Sequence, residues 1–341
     1  MRAVAYQKSL PIEDENALVD TDLPTPSPQG RDLLVQIQAV SVNPVDTKVR
    51  KRTGAGTEQW KVLGYDAAGL VRATGPNVTL FKTGDAVFYA GAIGRQGTNS
   101  EFHLVDERIV GRKPNSLDWA EAAAIPLTAI TAWEMLFDRL DVRKAVPGSA
   151  PAVLIVGGAG GVGSMAVQFI RKLTQLTVIA TASRPETKDW VQRLGAHYIV
   201  DHSKPLATQV KALRLGEPGL VFSTTNTDLH FKEVAELIAP QGRFGLIDDP
   251  PIFDIAVFKR KSVSMHWESM FTRSVFETPD MAEQGELLNK VSKLVDEGSL
   301  QTTLADNFGS INAQNLKRAH ALIESGRAKG KIVLEGFASP T

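Results

Sequence analysis

Hydrophobic and polar positions alternate in two textures along this chain, and the texture changes near residue 150. Up to about residue 120 the apolar runs are short and of β type, at 33–40, 69–73, 85–89 and 102–105. Pro24, Pro26, Pro28 and Gly30 punctuate them, as do Gly75-Pro-Asn77 and Lys82-Thr-Gly-Asp85. This pattern predicts a compact β barrel or folded sheet. Two helical segments follow: 119–125, stopped by Pro126, and a second from about 127 to 140. From Ala152 onward, apolar strands alternate with amphipathic helices. The strands are expected from Val153, at 177–182, 198–200, 220–223 and 243–247; the helices at 162–173, 186–194, 205–215 and 229–238. That alternation is the signature of an α/β fold with a doubly wound parallel sheet. The chain then returns to mixed structure, with helices near 281–297 and 315–325 and a last strand at 330–334 expected to rejoin the N-terminal sheet.

The most informative stretch is Val153-Leu-Ile-Val-Gly-Gly-Ala-Gly-Gly-Val-Gly163, where a buried strand feeds into Gly158-x-Gly160-x-x-Gly163 and then a helix. Strand, glycine turn and helix together make this a dinucleotide-binding hypothesis of the Rossmann type. Gly158 is expected to make the tight turn, Gly160 to admit a pyrophosphate, and Gly163 to let the helix approach the strand. The N–H groups at the helix start, from Gly161, Val162 and Gly163, would face the anion. About 20 residues on, where NAD-binding chains usually carry an acid for the ribose 2′-hydroxyl, this chain has Ser183 and Arg184, with Lys188 one turn later. A hydroxyl and a guanidinium suit a 2′-phosphate, so NADPH is the expected cofactor. The alternative for Ser183 is a helix N-cap, which is compatible with phosphate binding.

Composition narrows the rest. With 341 residues, 43% of them hydrophobic, the chain can fill one large core or two ordinary ones. Its 38 basic and 38 acidic residues balance, which gives no electrostatic case for nucleic acid or an anionic membrane. No run of 18 apolar residues occurs, and the opening residues read as a strand, so a cytoplasmic protein is the expectation. Zero cysteines excludes disulfides, thiolate zinc sites and a cysteine nucleophile.

Several further motifs match in order along nearly the whole chain. They are Gly64-Tyr-Asp-Ala-Ala-Gly69, Gly75-Pro-Asn-Val78, Thr83-Gly-Asp-Ala-Val87, Ala122-Ala-Ala-Ile-Pro-Leu-Thr-Ala-Ile-Thr-Ala132 and Gly326-Arg-Ala-Lys-Gly-Lys-Ile-Val-Leu334. With the glycine turn, they make the chain resemble the medium-chain dehydrogenase/reductase superfamily. It is most similar to the zinc-independent quinone oxidoreductase branch, often labelled zinc-type alcohol dehydrogenase-like. The resemblance implies a GroES-like domain from residues 1–125 and 268–341, a Rossmann domain from 126–267, a cleft between them for NADPH, and a homodimer. Zinc alcohol dehydrogenases carry a cysteine about where Asn43 stands, His-Glu where Tyr65-Asp66 stands, a further cysteine near Thr128 and a four-cysteine loop. None of these ligands is present. Asp46 and Asp66 remain as oxygen donors, and no two of the six histidines share ligand spacing. No metal is expected.

Reducing an isolated carbonyl generates an alkoxide that needs a Lewis acid or a placed proton donor. The Tyr-x-x-x-Lys arrangement is absent. Quinones and α,β-unsaturated carbonyls spread the developing charge, so positioning does most of the work. Hydride transfer from NADPH to such an acceptor is therefore the expected reaction. The resemblance leaves two rivals: a zinc-type dehydrogenase of simple alcohols with unusual ligands, and a non-catalytic NADPH-binding protein. By the family pattern Asn43 would bind ribose or substrate beside the nicotinamide, though Asn-Pro is also a good turn. Tyr65 would orient or protonate the substrate oxygen, or pack as a rim aromatic. Thr128, His202, Thr224, Thr225, Leu246, Ile247 and Lys331 are the remaining cofactor contacts, with Lys331 closing over the cofactor from the last strand. Loops around 50–60, 91–100 and 267–275 are expected to shape the substrate pocket.

Overall fold

The computed structural model describes residues 1–54 and 59–337, so part of the expected 50–60 loop lies outside the described residues. The chain divides into two compact units: 1–130 with 271–341, and 131–270. The first boundary falls inside the helix that Pro126 opens.

Unit one begins with β1 (Arg2–Tyr6), β2 (Val19–Asp22) and β3 (Asp32–Val42), followed by helix α1 (Pro44–Arg52). β4 (Lys61–Val62), β5 (Ala67–Thr74), β6 (Ala86–Tyr89), β7 (Phe102–Asp106) and β8 (Val110–Arg112) come next, then α2 (Trp119–Ala123) and α3 (Pro126–Trp133). Unit two holds β9 (Ala150–Val156), α4 (Gly161–Leu173), β10 (Thr177–Thr181), α5 (Pro185–Arg193) and β11 (Tyr198–Val200). It continues with α6 (Leu206–Ala212), β12 (Pro218–Ser223), α7 (Thr227–Leu237), β13 (Arg243–Leu246) and β14 (Ser264–Trp267). The chain returns to unit one through α8 (Thr272–Val275), α9 (Glu283–Asp296), β15 (Leu304–Asn307), α10 (Ala313–Glu324) and β16 (Lys331–Glu335).

In unit one, β15-β16-β3-β5-β6-β8 form one sheet, with β7 also on β3, while β2-β1-β4 form a second. The last strand does rejoin the N-terminal sheet. β16 runs antiparallel to β3 in the register Ile332 to Val42 and Val333 to Ser41. That register sets Lys331 beside Asn43, which follows β3.

Unit two is a six-stranded parallel sheet in the order β11-β10-β9-β12-β13-β14. The central strand β9 is almost wholly apolar because both of its faces are covered by helices. Leu154, Val156, Val221, Phe244, Val234 and Ile238 are among the buried residues of its core. Since all six strands run the same way, their carboxyl ends share one edge, the usual ligand edge of such sheets.

Helix α1 is absent from the sequence reading, which weighed Asn43 as a ligand contact against an Asn-Pro turn. Its signals are nevertheless present: Pro44 at the first helical position, Asp46 reaching back to the Asn43 N–H at 2.7 Å, and Arg50, Lys51 and Arg52 in the last turn. The expected helix at 127–140 is α3 followed by a π-type turn over Glu134–Arg139.

Candidate functional site

In unit two the predicted nucleotide residues gather at the carboxyl ends of five neighbouring strands. The tight turn after β9 is made by Gly157 (φ +82°), not by Gly158 as expected. The Gly157 N–H donates to Thr181 Oγ1 at the end of β10 (2.9 Å). Gly158 is needed for packing instead: a Cβ there would stand 2.9 Å from the Ala180 Cβ. At Gly163 a Cβ would meet the Gly157 carbonyl oxygen at 2.2 Å, so helix and turn can only be this close with glycine. A Cβ on Gly160 would meet nothing nearer than 3.6 Å, so the backbone there is approachable. The first helical bond of α4 runs from Ser164 N to Gly160 O, which leaves Gly161, Val162 and Gly163 N–H without helical acceptors.

At the end of β10 the helix cap is Arg184, whose N–H and carbonyl both bond Thr187 Oγ1 (3.2 and 2.8 Å); Ser183 is not the cap. Arg184 pairs with Glu186 at 2.9 Å and Lys188 with Asp201 at 3.7 Å. Both cations are partly exposed, and such pairs are weak, so an incoming phosphate competes readily. His202, after β11, shares a hydrogen bond with Thr181 Oγ1 (3.1 Å). Burial, and next the nearby His230, hold its pKa below the ordinary value, so it meets a ligand as a neutral ring. Thr224 donates its hydroxyl to the Val156 carbonyl (2.9 Å), and the Thr225 carbonyl accepts from Ser223. Leu246 closes β13, its carbonyl taking the Glu268 N–H, and Ile247 follows half-buried.

The unit-one residues converge on Asp66, which the sequence reading had set aside. Asp66 Oδ2 accepts from Lys331 Nζ (3.0 Å), Asn43 Nδ2 (2.8 Å) and Ser41 Oγ (3.2 Å), and Oδ1 accepts from the Leu127 N–H (2.7 Å). Burial pushes its carboxyl up, and Lys331 with the other donors opposes that shift. Four donors make it a fully satisfied carboxylate. Lys331 also donates to the Val42 carbonyl (3.1 Å) and to Asn43 Oδ1. All three of its protons are engaged, and its ammonium is buried inside unit one. Asn43 is bonded internally as well. Its two amide protons go to Asp66 and to the Ser41 carbonyl, so it has no proton to offer a ligand. Thr128, buried in the first turn of α3, gives its hydroxyl proton to the Ile125 carbonyl (3.0 Å).

Asp46 lies next to this network, its oxygens accepting from Asn43 N (2.7 Å) and Gly64 N (2.9 Å). Burial pushes its carboxyl up to about 7, against the pull of those N–H groups and of Lys331. Tyr65 packs edge-on against Phe271, with ring centroids 5.3 Å apart. Its hydroxyl is buried and has no hydrogen-bond partner among the described residues. Burial, then Asp46, raise its pKa, so it remains a protonated donor. No sequence signal could have joined residues 43, 66 and 331; the β16–β3 register sets 331 beside 43, and the β3–β5 pairing brings in 66.

A family model for the alcohol dehydrogenase GroES-like domain matches residues 29–115, and one for zinc-binding dehydrogenases matches residues 194–334. The chain is 40% identical over 339 residues to a zinc-type alcohol dehydrogenase-like protein of Staphylococcus aureus (strain MRSA252), covering 98% of this chain and 99% of that one. A crystal structure from Rhizobium etli CFN 42, provisionally described as a zinc-dependent alcohol dehydrogenase, is 68% identical with a TM-score of 0.98 over 99% of each chain. The quinone oxidoreductase of Coxiella burnetii is 25% identical with a TM-score of 0.79, covering 98% of this chain and 99% of that one. The zinc in these names does not fit the residues here. Of the two carboxylates that could serve, Asp66 is filled by four donors, an ammonium among them, and Asp46 accepts one backbone N–H on each oxygen. Among the described residues no three His, Cys, Asp or Glu side chains group as a metal site.

Proposed function

The chain belongs to the medium-chain dehydrogenase/reductase superfamily, an oxidoreductase family whose fold binds a nicotinamide cofactor, and from that premise we propose an NADPH-dependent reductase of quinones or α,β-unsaturated carbonyls that works without a metal. The observation that carries the reading is the donor inventory of unit one. Asp46 and Asp66 accept hydrogen bonds from the chain's own donors, and beside them the buried Tyr65 hydroxyl has no partner among the described residues. A neutral donor suits an acceptor whose conjugation already disperses charge better than it suits an isolated ketone.

The cofactor supplies the hydride when bound. For its part, the chain holds the pyrophosphate on the N–H groups of Gly161, Val162 and Gly163. It presents Ser183, Arg184 and Lys188 to the 2′-phosphate and offers the Tyr65 O–H to the substrate oxygen. His202, Thr224, Thr225, Leu246 and Ile247 line the same strand ends. A second copy is the expected partner: β14 is an edge strand, and Trp267 on it is 56% exposed. Sedimentation of the purified chain checks this.

The deciding experiment is the initial rate of NADPH oxidation with a simple quinone after exhaustive dialysis against a chelator. Saturable turnover is expected. NADPH binding without turnover on any quinone or enone would favour a non-catalytic NADPH-binding role, and activity restored only by zinc would favour an alcohol dehydrogenase.

A further inference from the structure

Three oxygens from two separate stretches of unit one meet at one nitrogen. Asp66 Oδ2, the Val42 carbonyl and Asn43 Oδ1 all accept from Lys331 Nζ. Lys331 is 3% exposed and Asp66 is fully buried. A buried ion pair is a poor source of stability, because stripping water from both charges offsets most of their attraction. What it does supply is geometry. The ammonium orients the Asn43 amide, so that its oxygen faces Nζ and its nitrogen faces Asp66. It also ties the loop before β5 to the end of β3 and the start of β16.

We propose that Lys331 is the resident cation of this site, a positioning residue that holds the Asn43 and Asp66 oxygens in the place where a divalent ion would otherwise gather them, and that sets the field at Asp46. The inference deepens the metal-free reading above. A divalent ion on Asp66 Oδ2 would sit within a few ångströms of an ammonium that cannot leave without losing three hydrogen bonds. Like charges so close in a buried setting exclude one another. The groups facing Asp46 are few: Lys331 attracts its charged form, Asp66 repels it, and the Asn43 and Gly64 N–H groups bond it. Tyr65 also lies within its field as a neutral phenol. Further along α1, Arg50 and Lys51 are turned to Glu324 on α10. Lys331 is thus the principal cation acting on Asp46.

Two measurements on the intact chain test this, and neither requires turnover. In the first, wild-type protein is exposed to excess zinc, freed of unbound ion by gel filtration, and assayed for metal per chain. No retained zinc is expected; one tightly held zinc that disappears in Asp66→Asn would overturn the proposal. In the second, the Asp46 carboxyl is followed by carbon-13 NMR through a pH titration, its signal assigned by its loss in Asp46→Asn. Lys331→Met is expected to move the midpoint up by about one unit or more, and Lys331→Arg to bring it back towards wild type. A midpoint unmoved in folded Lys331→Met would overturn the proposal. Should that variant fail to fold, the wild-type zinc count still decides. Absence of quinone turnover would count against the proposed reaction and leave both readouts intact.

Discussion

At the turn after β9, three N–H groups of α4 have no helical acceptor, and a Cβ on Gly160 would meet only ordinary contacts. Around Asp66 the situation is reversed: four donors meet one carboxylate, and an ammonium gives all three protons to neighbouring oxygens. Unit two leaves polar groups open at its ligand edge, whereas unit one closes them on each other and leaves the Tyr65 hydroxyl over. The difference teaches that a recognition surface and a reaction site ask different things of a fold. Recognition needs donors kept available. The metal-free reaction proposed for unit one would need a fixed internal field, and a closed network supplies one.

The contrast can be broken most severely at Asp66. Asp66→Ala would strand a buried ammonium along with the Asn43 amide and the Leu127 N–H, and is expected to destabilise the chain by about 3–5 kcal/mol in urea unfolding. A loss under about 1 kcal/mol would mean the network is looser than its distances. Next comes Gly163→Ala, whose new Cβ would meet the Gly157 oxygen at 2.2 Å. About 1–3 kcal/mol of stability should go, together with NADPH binding by fluorescence titration. Full binding in this variant would refute the close-approach argument.

A milder change separates recognition from folding. Arg184→Ala is expected to weaken NADPH by about tenfold or more while NADH changes little, since NADH has no 2′-phosphate for that guanidinium to meet. Equal losses would place 2′-phosphate recognition elsewhere.

The last test is a pH slope. The folded Asp46 carboxyl is raised from 3.8 to about 7, so the folded state binds this proton more tightly than the unfolded chain does. Its contribution to stability is therefore complete below about pH 4 and is lost as pH rises through about 7. His103 and His320, pushed down to about 4 and about 3, have the opposite sign, losing stability as pH falls below about 6.5. Glu268, raised to about 8, follows Asp46. The check is thus the difference between wild type and Asp46→Asn, which should shift against wild type between pH 5 and pH 8. A flat difference would show that Asp46 does not titrate there.

Unit two was largely legible in the sequence because its signals are local. Strand, glycine turn and helix are contiguous, and Ser183-Arg184 follows at a fixed distance. Even so, the positive φ sits at Gly157, one residue before the motif, since spacing cannot say which of two adjacent glycines turns. The β-rich texture and the return of the last strand were also readable. The reactive end of unit one was not. Asn43 and Lys331 were singled out as ligand contacts, yet each finds its partners inside the protein, from residues 23 and 265 positions away from Asp66. No local pattern encodes such pairings. Helix α1 was missed for another reason: its N-terminal Asn-Pro serves turns and helix starts alike.

The pairing of Lys331 with Asp66 also has a consequence in time. A chain made from its N-terminus has both Asn43 and Asp66 in hand 265 residues before the lysine that joins them. At roughly 5–20 residues per second, translation leaves that carboxylate without its cation for on the order of ten to fifty seconds. The whole of unit two is synthesised in that interval. Completion of the unit-one network is therefore one of the last events in the birth of the molecule, and a nascent chain halted before β16 would carry a finished nucleotide turn and an unfinished unit-one network.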